Sequence, residues 1–231
     1  MIELVHVALS CGSREVLSDI HVSLRGESAL IVGGTGAGKS LLVRLLCGLV
    51  RPTRGSVEMD GLSLQTASSE ELAAHRRKLA LWPQRPELVE SRTVIQNVAL
   101  ALEVQQWPAG RAWEKAGEAL ERAGCVELVD RPVRTLSIGE RRLVGLARAL
   151  AREDAPVLIA DDPIAGLDPM TQERVGLLLA EQAERGMSVL VTSRAPQIPA
   201  FRPPRVGFLE DGRIVWSDPP AGPGKPGGVP T

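Results

Sequence analysis

The sequence predicts an α/β fold: a mostly parallel sheet, with N-terminal antiparallel β strands before it and an inserted α-helical subdomain within it. Three observations predict it. Short apolar runs at 27–32, 157–160 and 188–192 read as buried strands. Helix-like stretches at 140–152 and 172–185 each precede one of these runs. Strands alternating with helices imply a parallel sheet covered on both faces. The stretch 86–139 is rich in Ala, Leu and Glu and carries little strand character, so it reads as a helical insertion.

The elements follow in order. Residues 2–9 alternate loosely as a strand, 10–14 form a turn, and 16–24 read as a second strand. The run 27–32 enters a glycine cluster, and 41–49 has a helical pattern. Arg51-Pro52 to Gly55 breaks that helix, and 56–59 restarts a strand. The last fifteen residues, 217–231, are mostly Pro and Gly. They cannot bury enough surface to fold, so a disordered tail is expected there. The expected organisation is one domain over 1–216, with the helical subdomain at about 86–139 inside it.

Composition bounds the function. The chain has 231 residues, room for one large domain or a domain with a small subdomain. Hydrophobic residues are 44% and charged residues 24%, which excludes a disordered chain or a fibre. Aromatics are 3% with no Tyr, so the core must be aliphatic. A net charge of −1 gives no basic excess for counterion release, so no nucleic-acid partner is expected. Cys11, Cys47 and Cys125 are odd in number with no CxxC, so neither a disulfide framework nor a thiolate zinc site is indicated. No apolar run approaches the ~20 residues that span a bilayer. The first residues lack the basic n-region of a secretory signal. A cytoplasmic protein is expected, peripheral at the inner face of the cell membrane if a partner holds it there.

The decisive motif is Gly33-Gly34-Thr35-Gly36-Ala37-Gly38-Lys39-Ser40, which matches GxxxxGK[ST] between an expected strand and an expected helix. Its glycines let successive backbone amides turn inward around phosphates, and the helix adds its positive dipole end. Lys39 would reach the β- and γ-phosphates of ATP, and Ser40 would ligate Mg²⁺. The run Val157 to Ala160 ends in Asp161 and Asp162. A buried strand ending in carboxylates downstream of a P-loop places Asp161 as a second Mg²⁺ ligand.

With these pieces, the sequence resembles the ATP-binding subunit of an ABC transporter over 1 to about 216. Leu136-Ser137-Ile138-Gly139-Glu140 looks like the family signature, Gln84 falls at the family's Q-loop glutamine, and Gly166-Leu167-Asp168 resembles its D-loop. The resemblance implies a RecA-like P-loop core. It implies a head-to-tail dimer, homo- or heterodimeric, in which Ser137 and Gly139 cap the γ-phosphate of the other subunit's ATP. It implies a Gln84 role in metal ligation and catalysis, and a membrane permease partner. The sequence Ser137-Ile138-Gly139-Glu140 is also a capping box, Ser with Glu three residues on. Within the family, Thr35–Ser40 and stretches at 75–78, 92–99 and 139–149 look like the cell-division FtsE and lipoprotein-release subfamily. That resemblance implies an FtsX-like membrane partner.

Three positions depart from the family pattern. Asp162 stands where the catalytic Glu is expected, Ser193 where the switch His is expected, and Cys11 about where an adenine-stacking aromatic is expected. Asp is shorter than Glu by one C–C bond, about 1.5 Å. Lost base geometry costs about 10²–10⁴ in rate, and a missing stacking aromatic about 1–3 kcal/mol. Nucleotide binding should therefore survive better than turnover. Two functional readings stay open: a slow ATP-hydrolysing motor, with Asp162, Gln84 and Ser193 at its catalytic centre, or a nucleotide-gated module that docks on a membrane partner or a competent homologous subunit and hydrolyses negligibly.

Overall fold

The computed structural model describes residues 1–217. Apart from Ser217, the tail expected at 217–231 lies outside the described residues. Among the described residues, ten strands in two sheets are joined by six α-helices: β1 (Ile2–Cys11), β2 (Arg14–Leu24), β3 (Ala29–Val32), α1 (Lys39–Leu46), β4 (Arg54–Met59), β5 (Leu62–Ser63), α2 (Ser69–Lys78), β6 (Leu79–Trp82), α3 (Val94–Glu103), α4 (Ala109–Ala123), α5 (Ile138–Leu150), β7 (Val157–Asp161), α6 (Pro169–Glu184), β8 (Ser188–Ser193), β9 (Arg205–Glu210) and β10 (Arg213–Trp216). The expected α/β class is the one observed. A six-stranded sheet runs β10-β9-β3-β8-β7-β6, and a four-stranded sheet runs β2-β1-β4-β5. All pairings in the small sheet are antiparallel, and only β9–β10 is antiparallel in the large one.

The central strands are apolar throughout because both their faces are covered. Along β3, Leu30 and Val32 join a core beneath the helical subdomain, while Ala29 and Ile31 join a core between the two sheets and α1. β7 divides the same way, with Leu158 and Ala160 on one side and Val157 and Ile159 on the other. This is the alternation of a strand's side chains to opposite faces.

Between β6 and α5 the chain forms α3, α4 and two short 3₁₀ turns, and it builds the helical subdomain. Val94, Val98 and Leu102 are fully buried and tie α3 into the subdomain core. On α4 the buried face is Ala112, Ala116, Ala119, Leu120 and Ala123, small side chains that admit close helix packing. α2, β5, β6, β9 and β10 carry no strong pattern in the sequence and were not expected as elements. Two helices begin earlier than their apolar pattern suggests. α5 starts at Ile138 because Ser137 and Glu140 cap each other reciprocally, and α6 starts at Pro169 because Asp168 caps it. Among the described residues no helix is long and apolar enough to cross a membrane.

Candidate functional site

Four neighbouring parallel strands, β3, β8, β7 and β6, deliver the expected site residues at their C-terminal ends. Val32 pairs with Ser193, Asp161 with Thr192, and Trp82 with Ala160. The carboxyl ends of strands in an open α/β sheet are where such folds bind ligands.

Residues 33–38 loop from β3 into α1. Gly33 N donates to Ser193 O at 3.0 Å, which anchors the loop on β8. Gly38 has φ +106, and a Cβ there would come within 2.8 Å of Leu17 Cδ2, so the position demands glycine twice over. α1 has no acidic residue in its first turn and no side-chain cap, which leaves its positive end uncompensated. Lys39 is buried and folds over the loop, with Nζ donating to Gly33 O at 2.7 Å and Gly34 O at 2.8 Å. Burial lowers its pKa, and the charges of Asp162 and Asp161 oppose that shift. Gly34, Thr35, Gly36 and Ser40 are exposed beside it.

Asp161 ends β7 and is buried, with Oδ1 accepting from Thr192 Oγ1 at 2.5 Å. Asp162 follows with φ +49, a left-handed conformation that Asp tolerates better than most residues. Its side chain is engaged from two sides. Arg194 Nε donates to Oδ2 at 2.8 Å, and Gln84 Nε2 donates to the same oxygen at 3.3 Å. Asp162 is 4% exposed, so this ion pair lies partly within the protein. Arg142 of α5 is also buried, with its guanidinium donating to the carbonyls of Asp162 (2.5 Å), Pro163 (3.0 Å) and Gln84 (3.2 Å). It thereby links the helix after the signature to the carboxylate strand and to the Gln84 loop.

Ser193 ends β8 beside the P-loop, where its carbonyl accepts from Gly33 N at 3.0 Å. It is fully buried, and its Oγ accepts from Ala195 N at 3.0 Å. The side chain that reaches Asp162 from this strand end is Arg194. Sequence reasoning missed Arg194, Arg142 and Thr192. The available signal was an Arg directly after a buried strand that runs beside a carboxylate strand.

Ser137 and Gly139 stand on the helical-subdomain side. Ser137 Oγ accepts from Glu140 N at 3.2 Å, and Glu140 Oε2 accepts from Ser137 N at 2.7 Å, so the capping-box reading holds. Ile138 is 82% exposed and turned away from the chain's own core. No hydrogen bond among the described residues joins Ser137 or Gly139 to the P-loop of the same chain.

A cavity of about 610 Å³ opens beside the P-loop, lined by Arg14, Glu15, Val16, residues 34–37 and residues 209–212. It contains no aromatic side chain, and Cys11 is not among its walls. Arg14 is the planar group present there. ATP with Mg²⁺ fits what the residues offer. The loop presents amides and an ammonium to phosphates, and Ser40, Asp161 and Gln84 are the hard oxygen donors that Mg²⁺ prefers.

Comparison with known proteins agrees with this geometry. Residues 17–165 match the family model described as ABC transporter. The chain is 36% identical over 208 residues to the methionine import ATP-binding protein MetN of Carboxydothermus hydrogenoformans, covering 88% of this chain and 61% of that one. It is 34% identical over 232 residues to the phosphonates import ATP-binding protein PhnC 1 of Ruegeria sp., covering 96% of this chain and 90% of that one. The chain thus spans about three-fifths of the length of the methionine-import relatives it matches. Its structure superimposes with a TM-score of 0.86, at 27% identity and 94% and 98% coverage, on the dimeric ATP-binding cassette MJ0796 in a post-hydrolysis state bound to ADP and Pi.

These findings correct the expected subfamily. The relatives are import subunits, not cell-division or lipoprotein-release subunits. The stretches that suggested otherwise belong to the common architecture. His75 is buried with Nε2 against Leu46 O at 2.8 Å, Val94 and Val98 are core, and 139–149 lies within α5. Such residues hold the fold.

Proposed function

The chain belongs to the ABC transporter family of P-loop ATPases, and on that premise we propose that it is the ATP-binding, slowly hydrolysing subunit of an import-type transporter. The observation that carries the slow turnover is the Arg194–Asp162 ion pair. Import is supported by the relatives, whose names assign them to methionine, phosphonates and hemin. Those cargoes share no chemistry, so the reading stops at import.

The roles follow from placement. Lys39 and the amides of residues 33–38 hold the β- and γ-phosphates, and Ser40, Asp161 and Gln84 hold Mg²⁺. When bound, Mg²⁺ neutralises phosphate charge. Arg14 offers a guanidinium plane to the base in place of an aromatic ring. Ser137 and Gly139, which make no hydrogen bond to their own P-loop among the described residues, complete the ATP site of a second subunit. Asp162 is the base, and the bonds of Arg194 and Gln84 to its Oδ2 hold the carboxylate in an orientation set by the protein rather than by an attacking water. The helical subdomain, joined to the site through Gln84, meets the membrane permease.

The same ion pair favours a second reading, a nucleotide-gated module paired with a competent homologous subunit. Its own P-loop site would then stay nearly silent while Ser137 serves the partner's site.

Equilibrium MgATP binding and sedimentation of the purified chain test the proposal. The expected result is MgATP binding with Mg²⁺-dependent dimerisation and phosphate release below ~1 s⁻¹, the low end for enzymes. A chain that binds no MgATP would refute it. Hydrolysis that appears only with a second, different subunit selects the module reading.

A further inference from the structure

The pairing of β1 with β2 shifts register three times, and the first two shifts are adjacent bulges on opposite strands. Leu4 pairs with Val22 and Val7 with Ile20, so Val5 and His6 face the single residue His21. Val7 pairs with Ile20 and Leu9 with Leu17, so Ser18 and Asp19 face the single residue Ala8. The two bulges flank one pair, Val7–Ile20. Bulges re-aim side chains, and here His6 (φ +51) and Asp19 (φ +57) both adopt the left-handed conformation.

The outcome is a convergence of three exposed side chains. His6 Nδ1 lies 2.8 Å from Asp19 Oδ1, and His21 Nε2 lies 3.1 Å from the same oxygen. The three ligand atoms all fall within 4.8 Å of one another. The imidazole rings meet edge to face with centroids 4.2 Å apart. A cation with ligand bonds of 2.0–2.1 Å, in geometries from octahedral to tetrahedral, sets neighbouring donors about 2.9–3.4 Å apart. The two separations from Asp19 Oδ1, 2.8 and 3.1 Å, approximate the edges of such a polyhedron, and the two imidazole nitrogens lie within 4.8 Å of each other. Two imidazole nitrogens with one carboxylate oxygen suit zinc-class divalent ions, whereas Mg²⁺ and Ca²⁺ take oxygen shells.

We propose that His6, Asp19 and His21 form a surface site for a zinc-class divalent cation, separate from the Mg²⁺ site of the P-loop. Each imidazole binds as the neutral ring, through the nitrogen that faces Asp19 and with its proton on the other ring nitrogen, and solvent completes the coordination. The chain has three histidines, and the third, His75, is buried against the Leu46 carbonyl, so imidazole binding has one accessible place. The Trp216 indole donates to the His21 carbonyl at 3.2 Å, which ties the site to β10.

Zinc titration of the full chain against a competing chromophoric chelator tests this, in excess Mg²⁺ and without nucleotide. The Cys11→Ser background removes the exposed thiol as an alternative ligand. The expected result is one equivalent bound, with affinity at least tenfold lower in His6→Asn and in His21→Ala, and one-to-one binding lost when both are changed. Asn tolerates the left-handed backbone at position 6, so that variant keeps the bulge. Asp19→Asn, which also keeps its bulge, should lose affinity while MgATP binding stays unchanged. Stoichiometric binding that none of these changes weakens, or no binding by the parent chain, would overturn the proposal.

Discussion

Arg194 Nε donates to Asp162 Oδ2 at 2.8 Å, so the carboxylate in the position of the catalytic base is already paired with a cation from the same chain. Gln84 Nε2 approaches the same oxygen at 3.3 Å. Around this pair the nucleotide-binding parts stand in order: Lys39 over the loop, Asp161 against Thr192, Ser137 capping α5. Retained binding with restrained turnover is what this arrangement predicts.

Lys39→Ala should weaken MgATP binding roughly 100-fold or more, because each hydrogen bond to a charged group contributes about 1.5–3 kcal/mol and in the proposed site Lys39 meets two phosphates. Fluorescent-nucleotide titration at fixed Mg²⁺ measures it. Unchanged affinity would remove Lys39 from the phosphate site.

Ser137 has two functions that two substitutions separate. Ser137→Ala removes the α5 cap at a cost of about 0.5–2 kcal/mol, and the melting temperature should fall accordingly. Ser137→Asp keeps a capping oxygen but sets a negative charge toward the partner's phosphates. It should melt like the parent and fail to dimerise on MgATP. Dimerisation unaffected by Asp would place the signature outside the interface.

Arg142→Leu should destabilise the fold by roughly 2–4 kcal/mol, since three buried carbonyls lose their shared donor. Urea denaturation gives the difference. A loss under ~0.5 kcal/mol, the range of ordinary surface changes, would mean that water replaces the guanidinium without cost.

The thiols provide a check on burial. Cys47 and Cys125 are buried, and desolvation pushes each thiol up to about 12. At pH 7–8 neither forms appreciable thiolate, the reactive species. Maleimide should label the exposed Cys11 alone in the native chain and all three cysteines after denaturation. Rapid native labelling of Cys47 or Cys125 would contradict the packing.

Much of the candidate site could be proposed from the sequence because its residues are contiguous. The P-loop, the run ending at Asp161 and the signature each carry local chemistry that survives as a string. The apolar runs likewise revealed β3, β7 and β8, since strands buried on both faces are apolar at every position. What escaped depends on tertiary placement. Ser193, expected in the switch position, is buried at the end of β8, and the next residue, Arg194, is the one whose side chain reaches Asp162. β9 and β10 escaped because several of their side chains face solvent, as in Phe208, Glu210, Arg213 and Val215. The His6–Asp19–His21 cluster needed the bulge register, which no short motif encodes.

The most direct test is steady-state phosphate release by the parent chain, Asp162→Glu, Arg194→Ala and the double variant, at saturating MgATP and with melting temperatures to confirm folding. Glu alone should gain little, because Arg194 remains to pair with it. The double variant should release phosphate at least ~10-fold faster than the parent, a modest part of the 10²–10⁴ a positioned base contributes, with MgATP affinity unchanged. A parent chain that already turns over many times per second, or a double variant no faster than the parent, would contradict the Arg194–Asp162 pair as the restraint on hydrolysis.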